Sequence, residues 1–323
     1  MEIVELPSSL RELIAADDRA IDAAGGERPR KVHVRRFAGP ATFVRQLDHV
    51  RIAHLTDLHV GRVTPLSVHE EAAARTNAAR PDLVAITGDF VCHSQKFLDE
   101  LKHVLRLFRA PVVCVLGNHD HWSGADEVAR TIERSGALLL RNQWTRVALR
   151  GQALQLVGLD DAYTDHADRH RATRGLDPTT ATLGLSHIGE EADKLWGLGV
   201  PLVLSGHTHG GQITLASLHE LALGRLGGHK YVHGLYGDRT NGGALYVGAG
   251  IGASVMPLRV GDRGRREVAL FELGQSPGAF DEHHEEQEAL PGRKPSDATM
   301  AKRFAKVEAK RLKRERKGRR SAG

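Results

Sequence analysis

Aspartate, histidine and asparagine recur in five short segments of this chain: Asp57-Leu58-His59, Gly88-Asp89, Gly117-Asn118-His119-Asp120, Ser186-His187 and Gly206-His207-Thr208-His209. These side chains are oxygen and nitrogen donors to divalent cations, and together they supply enough ligands for two ions. The chemistry they point to is hydrolysis at a dinuclear metal centre. Taken singly they say little. An Asp-x-His triplet arises often from alternation along a strand, Gly-Asp is weaker still, and His187 alone reads as a core or surface histidine. The two His-rich segments are more telling, although histidine clusters at strand ends also serve single metals. The force of the pattern lies in having all five, in order, each at the end of an apolar run.

Those runs are Val50 to Leu55, Leu83 to Ile86, Val112 to Leu116, Leu183 to Leu185 and Leu202 to Leu204. Short and apolar throughout, they read as strands buried on both faces of a sheet. In an open α/β sheet the loops leaving such strands converge on one crevice, which is where active sites are built. Residues 67–79, 95–109 and 126–135 carry helical spacing and supply the crossovers of a βαβ pattern. Residues 31–37 and 42–47 read as strands leading into Val50, and 138–158 as strands of a second sheet. A short helix is expected over 190–196, and closing strands over 244–247 and 267–273. Residues 9–23 have helical spacing (Leu10, Leu13, Ile14, Ile21) ended by Gly25-Gly26, and read as a surface helix outside the core. The Gly-rich stretch 219–243, with His229, Lys230, Tyr231, His233, Tyr236 and Arg239, reads equally well as a substrate-touching loop or an ordinary hairpin.

With 323 residues, 41% of them hydrophobic, the chain can bury a sizeable core. Its formal charge of +5 is misleading. Residues 301–320 hold eleven Lys or Arg against Glu308 and Glu315, a local +9, so the remainder carries −4. The basic character belongs to a tail, not to a catalytic face. Cys92 and Cys114 are the two cysteines. That usage suits a reducing compartment, and Cys114 reads as a small core residue. The first residues lack the basic and apolar regions of a secretory signal, and no window approaches the ~18 apolar residues of a spanning segment. The expected location is cytoplasmic, with peripheral contact to a membrane as an extension.

The ordered set D-x-H, G-D, G-N-H-D, H and G-H-x-H resembles the calcineurin-like metallophosphoesterase superfamily, over about residues 50 to 250. The variants Gly206 to Gln212, Gly158-Leu159-Asp160-Asp161 and Gly250-Ile251-Gly252 further resemble a bacterial branch that includes membrane-associated phosphodiesterases and a UDP-2,3-diacylglucosamine pyrophosphate-cleaving relative. The resemblance implies an α/β fold (an α+β sandwich) of two packed mixed sheets flanked by helices in four layers. It implies one metal on Asp57, His59, Asp89 and His209 and a second on Asp89, Asn118, His187 and His207, with Asp89 bridging. Manganese is the expected metal, with iron or zinc as alternatives that the mixed donor set also suits. The family mechanism has a hydroxide shared by two metals attack phosphorus in line with the leaving oxygen. His119 is then the general acid or transition-state stabiliser, and Asp120 orients its ring. Asp161, and less directly Asp160, would support the site from behind. One departure bears on substrate choice: after His187 the chain reads Ile188-Gly189-Glu190, where many relatives have a Pro-Asp-type continuation.

The resulting expectation is a metal-dependent phosphoesterase acting on a phosphodiester or pyrophosphate, with a lipid-linked substrate favoured by the branch. A nuclease assisted by the basic tail is the alternative, and a non-catalytic metal-binding scaffold a second. Residues 1–30 are expected to form an N-terminal extension, 31–275 the catalytic domain, and 276–323 a charged tail. Through residues 301–320 that tail could meet an anionic membrane or nucleic acid, each Lys or Arg near such a surface adding roughly 1 kcal/mol.

Overall fold

A computed structural model of the protein describes residues 8–24, 32–92, 94–211, 228–240, 242–253 and 264–280, with scattered positions between 301 and 312. Its elements begin with α1 (Ser8–Ala24), β1 (Val32–Ala38), α2 (Ala41–Val44), β2 (Val50–Leu55), α3 (Leu66–Ala78), β3 (Leu83–Thr87), α4 (Leu98–Arg106), β4 (Val112–Val115) and α5 (Asn118–Ser135). They continue with β5 (Leu138–Leu139), β6 (Gln143–Leu149), β7 (Gln152–Gly158), α6 (Arg169–Thr173), β8 (Thr182–Leu185), α7 (Ala192–Trp196), β9 (Leu202–Ser205), β10 (Gly234–Gly237), β11 (Ala244–Val247) and β12 (Arg266–Leu273).

Two mixed six-stranded sheets result, in the orders β1-β12-β2-β3-β4-β5 and β10-β11-β9-β8-β7-β6. β2, β3, β4 and β5 run parallel in the first, and β7, β8, β9 and β11 in the second. Strand alternation sorts the core into three layers. Ile52, Ala85 and Val113 of the first sheet meet Leu156, Leu183 and Leu204 of the second. The residues beside them, Ala53, Val84 and Cys114, face Ala72 and Ala73 of α3, Leu101 and Leu105 of α4, and Val128 and Ile132 of α5. On the far side, Val157, Val203 and Leu245 pack against Ala172 of α6 and Ala192 and Leu195 of α7. The four-layer arrangement of two packed sheets flanked by helices is therefore present. Both faces of each central strand are covered, which is why the runs show no polar alternation.

Three departures from the sequence reading have physical causes. Residues 42–47 do not form a strand: a helical turn, α2, follows Pro40 and seats Phe43, fully buried, in the core between the sheets. α5 is two helical stretches joined at a kink at Gly124 (φ 108°, ψ 89°): the expected helix over 126–135 is its second part, and the first, opening at Asn118, is absent from the sequence reading because it lacks an amphipathic stripe. α1 sits against the domain, with Ile21 in the core and Asp17 1% exposed. Asp17 accepts hydrogen bonds from Arg51 (2.5 Å) and Arg80 (2.6 Å), an ion-pair anchor that helical spacing cannot reveal. The stretch 219–243 contains a hairpin, β10 pairing antiparallel with β11, while 212–227 lies outside the described residues. Residues 281–300 and most of the basic tail lie outside them too, as do 1–7 and 25–31. Among the described residues no helix is long and apolar enough to cross a membrane.

Candidate metal centre

Every ligand-bearing segment leaves the same edge of its sheet. Asp57 and His59 follow β2, Asp89 follows β3, Asn118 opens α5 after β4, His187 follows β8, and His207 and His209 follow β9. The loops are tied together through the backbone: Asp57 N donates to Gly88 O (3.0 Å), His59 N to Asp89 O (2.9 Å) and Gly206 N to His187 O (3.2 Å). The segment after β11 straps the first loop, Ile251 N donating to Thr56 O (3.0 Å) and Gly252 N to Asp57 O (2.7 Å). A side chain at Gly252 would run into the Leu58 backbone, so only glycine allows that approach. Five of the ligand-type residues sit at positive φ: Asp57 (50°), His59 (41°), Asp89 (54°), His207 (78°) and His209 (54°). Non-glycine residues hold this conformation only where their surroundings over-determine it, and such strain gathers at functional sites.

The side chains converge in two overlapping groups. Asp57, His59 and His209 bring one ligand atom each within 4.8 Å of one another, and Asp57, Asp89 and His187 do the same. Asp89 Oδ2 lies 3.5 Å from His59 Nε2 and 3.4 Å from His187 Nε2, between the two histidines. His209 Nε2 is 3.3 Å from Asp57 Oδ1, and His207 Nδ1 is 3.3 Å from His187 Nε2. His119 stands at the edge, its Nε2 4.0 Å from Asp89 Oδ2 and its ring edge-on to His59.

Supporting bonds fix these groups. Asp57 Oδ2 accepts from Thr56 Oγ1 (2.8 Å) and His207 N (3.0 Å), and Asp89 Oδ1 accepts from His119 N (2.8 Å). His187 Nδ1 lies 2.7 Å from the Thr87 carbonyl oxygen, which can only accept. Nδ1 therefore carries a proton and Nε2 is the nitrogen turned to Asp89. Asp120 is fully buried and its oxygens go to backbone amides: Oδ1 accepts from Phe90 N (2.8 Å) and Val91 N (3.3 Å), Oδ2 from Gly117 N (2.9 Å). It clamps the Asp89 loop to the start of α5.

The electrostatics fit cations. Burial raises the Asp57 carboxyl, whereas Asp89, although buried, is held well below the ordinary range by His187 and His119. Burial keeps the His59 and His207 imidazoles neutral, which is the form that ligates a metal. Burial also opposes charge on His187, but Asp89 beside it holds its proton up to about 10. Asp57 Oδ1 and Asn118 Oδ1 are buried oxygens with no hydrogen-bond donor. Orphaned acceptors among buried carboxylates and neutral imidazoles are a donor set suited to divalent metal.

Comparison with known proteins decides the class. The calcineurin-like phosphoesterase profile matches residues 50–211, from the first strand of the site to its last histidine. The chain belongs to the calcineurin-like phosphoesterase family. It is 30% identical over 233 residues to phosphodiesterase YaeI of Escherichia coli, covering 69% of this chain and 82% of that one. It is 28% identical over 232 residues to the metallophosphoesterase YkuE of Bacillus subtilis, covering 70% and 79%. It is 26% identical over 262 residues to the UDP-2,3-diacylglucosamine pyrophosphatase LpxG of Chlamydia trachomatis, covering 64% and 79%. The protein is thus a metal-dependent phosphoric-ester hydrolase of the branch its motifs resemble.

Around the centre of this phosphoesterase lie further residues, only some of which the sequence pattern named. Thr56 and the Thr87 carbonyl brace Asp57 and His187 directly. His121 pairs with Asp160 (2.7 Å), which Arg141 also holds (2.8 Å), so Asp160 serves the rim. Asp161 is fully buried and accepts from Thr164 N (2.8 Å) and Oγ1 (2.7 Å). Trp122 lies 4.9 Å from the His119 ring, and Tyr163 lies 5.1 Å from that of His207. Glu190, from the divergent Ile188-Gly189-Glu190 stretch, accepts from Lys230 N (2.8 Å) and meets His229 Nδ1 (3.4 Å). That anchor sets His229 beside His207, ring centroids 5.1 Å apart. Adjacency to the motifs was the available signal for Thr56 and Trp122. A backbone carbonyl leaves none.

Proposed function

We propose that this protein is a dinuclear phosphodiesterase or pyrophosphatase. One cation would be held by Asp57, His59, Asp89 and His209, the other by Asp89, Asn118, His187 and His207, with manganese the expected metal. The observation that carries the reading is the position of Asp89 Oδ2, within 3.5 Å of a histidine from each set. A carboxylate there offers an oxygen to both sides and offsets the charge of two ions. When bound, the ions lower the pKa of water toward neutrality and neutralise charge on the phosphate.

The chain's own residues account for the rest. Attack on phosphorus opposite the leaving oxygen needs a proton for that oxygen, and His119, the imidazole at the edge of the cluster, is placed to deliver it. Its ring is wedged between His59 and Trp122, which limits its swing. Asp120 is a positioning residue: its three amide bonds hold the loop bearing Asp89 against the turn bearing Asn118 and His119. The Thr87 carbonyl fixes the His187 ring so that Nε2 points inward. Substrates with a disubstituted phosphate are favoured because one relative is named a phosphodiesterase and another a UDP-2,3-diacylglucosamine pyrophosphatase.

Metal content and anomalous scattering from manganese-grown crystals test the assignment. Two ions per chain, falling to one or none in Asp89→Asn, are expected. A single ion in the unmutated protein, or two ions retained in Asp89→Asn, would overturn the dinuclear reading.

A further inference from the structure

Beside the two groups that make the proposed centre, and sharing His59 with one of them, a third set of ligand-type atoms comes together. Cys92, His119 and His59 each bring one ligand atom within 4.8 Å of the others. Cys92 sits just past the Asp89 loop and is partly exposed, and His119 is partly exposed as well, its side chain 13% accessible. A second observation points to a ligand. His59 turns Nε2 toward Asp89 and His209, while its Nδ1 is buried with no hydrogen-bond partner.

We propose that Cys92, His119 and His59 form a third site, sharing His59 with the proposed first-cation set, for a thiophilic divalent cation of the zinc or cadmium type whose occupation stops hydrolysis. Donor chemistry selects the ion. The proposed dinuclear set is carboxylate, amide and imidazole, which manganese accepts, whereas thiolate with imidazole favours softer ions. Bond lengths of ~2.3 Å to sulfur and ~2.0 Å to nitrogen place tetrahedral donors ~3.5 Å apart. Closing a set already within 4.8 Å takes side-chain shifts on the order of 1 Å. Cys92 is partly exposed, and the His119 ring, bounded by His59 and Trp122, needs only a displacement of this size toward it. The incoming ion displaces the thiol proton to solvent, and at His59 it takes Nδ1 as the ring proton passes to Nε2, which then gives up the proposed first cation. It also occupies the His119 ring, so the leaving oxygen loses its proton donor, and it draws on His59, a ligand of the proposed first cation. Inhibition therefore rests on the function proposed above. Binding does not.

Cadmium added to the manganese-loaded enzyme tests this, with near-ultraviolet thiolate-to-cadmium absorption and turnover of bis(p-nitrophenyl) phosphate read in parallel. The other cysteine, Cys114, is fully buried, which assigns the band to Cys92. The expected result is one band-forming ion per chain and loss of turnover as the band grows. Cys92→Ser should keep manganese-dependent turnover, lose the band, and need about tenfold more cadmium, or beyond, for the same inhibition. Capping the thiol reversibly with a methylthio group in the unmutated protein should also remove the band. Absence of the band in the unmutated protein, or inhibition of Cys92→Ser at the same cadmium concentration, would overturn the proposal. Because the band reports binding without turnover, its failure is distinguishable from failure of the hydrolase reading.

Discussion

Substituting Gly206 by alanine adds one methyl group and tests how tightly the backbone is drawn against the metal centre. A Cβ at Gly206 would overlap Thr56 Oγ1 and Asp57 Oδ2 and come within 2.8 Å of Thr56 Cβ. None of these atoms is the loose end of a long side chain. Thr56 and Asp57 are buried, and Asp57 Oδ2 is pinned by bonds from Thr56 Oγ1 and His207 N. Overpacking of this kind costs about 1–3 kcal/mol. At about 2–4 °C per kcal/mol for a protein somewhat smaller than this one, the melting temperature should fall by roughly 2–12 °C. The larger effect should be on the metal. Relief of the overlap moves the Asp57 carboxylate, and loss of such support weakens metal affinity about 10–100-fold. Gly197→Ala is the matched control. Its Cβ would meet only Lys194 O at 3.6 Å, an ordinary contact at a helical φ of −67°, so it should raise stability by about 0.4–1 kcal/mol. Calorimetric melts and manganese titration of both variants provide the assay. Unchanged manganese affinity and melting temperature in Gly206→Ala would refute the packing described at Asp57.

Other outcomes follow from the buried ion pairs and the centre. Asp17→Ala leaves Arg51, 1% exposed, without one of its two carboxylate partners and should destabilise by about 3–5 kcal/mol, measurable by urea unfolding. Burial alone would raise the Glu267 carboxyl, but His233 and Arg35 hold it well below its ordinary 4.5. Its folded-state pKa lies under the unfolded one, so this contribution is full above about pH 4.5 and is lost as pH falls. Glu267→Gln should accordingly flatten the acid limb of the stability curve below about pH 5, where an unfolded glutamate takes up its proton and the folded one does not. Chelation should lower the melting temperature, since a ligand at 100 times its Kd stabilises by about 2.7 kcal/mol. Asp120→Ala strands the amides of Phe90 and Gly117 at about 1–3 kcal/mol each, and hydrogen exchange should localise the loosening to the Asp89 loop.

The strands that carry the ligands were legible because burial on both faces writes itself as an unbroken apolar run, as in Val50 to Leu55. The candidate ligands were legible because all five segments, in order, end such runs, although each taken singly has an ordinary structural reading. The start of α5 was not, since Asn118 to Ser123 carry chemistry rather than an apolar stripe and Gly124 interrupts the period. Nor was α2, whose single anchor, Phe43, has no periodicity. Docking of α1 depends on Asp17 meeting arginines 34 and 63 residues away, a pairing that local pattern cannot encode. The amide bonds of Asp120 and the Thr87 carbonyl behind His187 are products of tertiary convergence and have no residue-type signature.

The most direct test of the central claim is turnover by metal-stripped protein reconstituted with manganese, using bis(p-nitrophenyl) phosphate and p-nitrophenyl phosphate, with His119→Ala alongside. The account predicts diester hydrolysis that requires manganese and exceeds monoester hydrolysis. It predicts that His119→Ala binds manganese as well as the unmutated protein yet turns over about 10²–10⁴-fold more slowly. Full manganese occupancy with no metal-dependent hydrolysis of either ester, or undiminished turnover in His119→Ala, would contradict it.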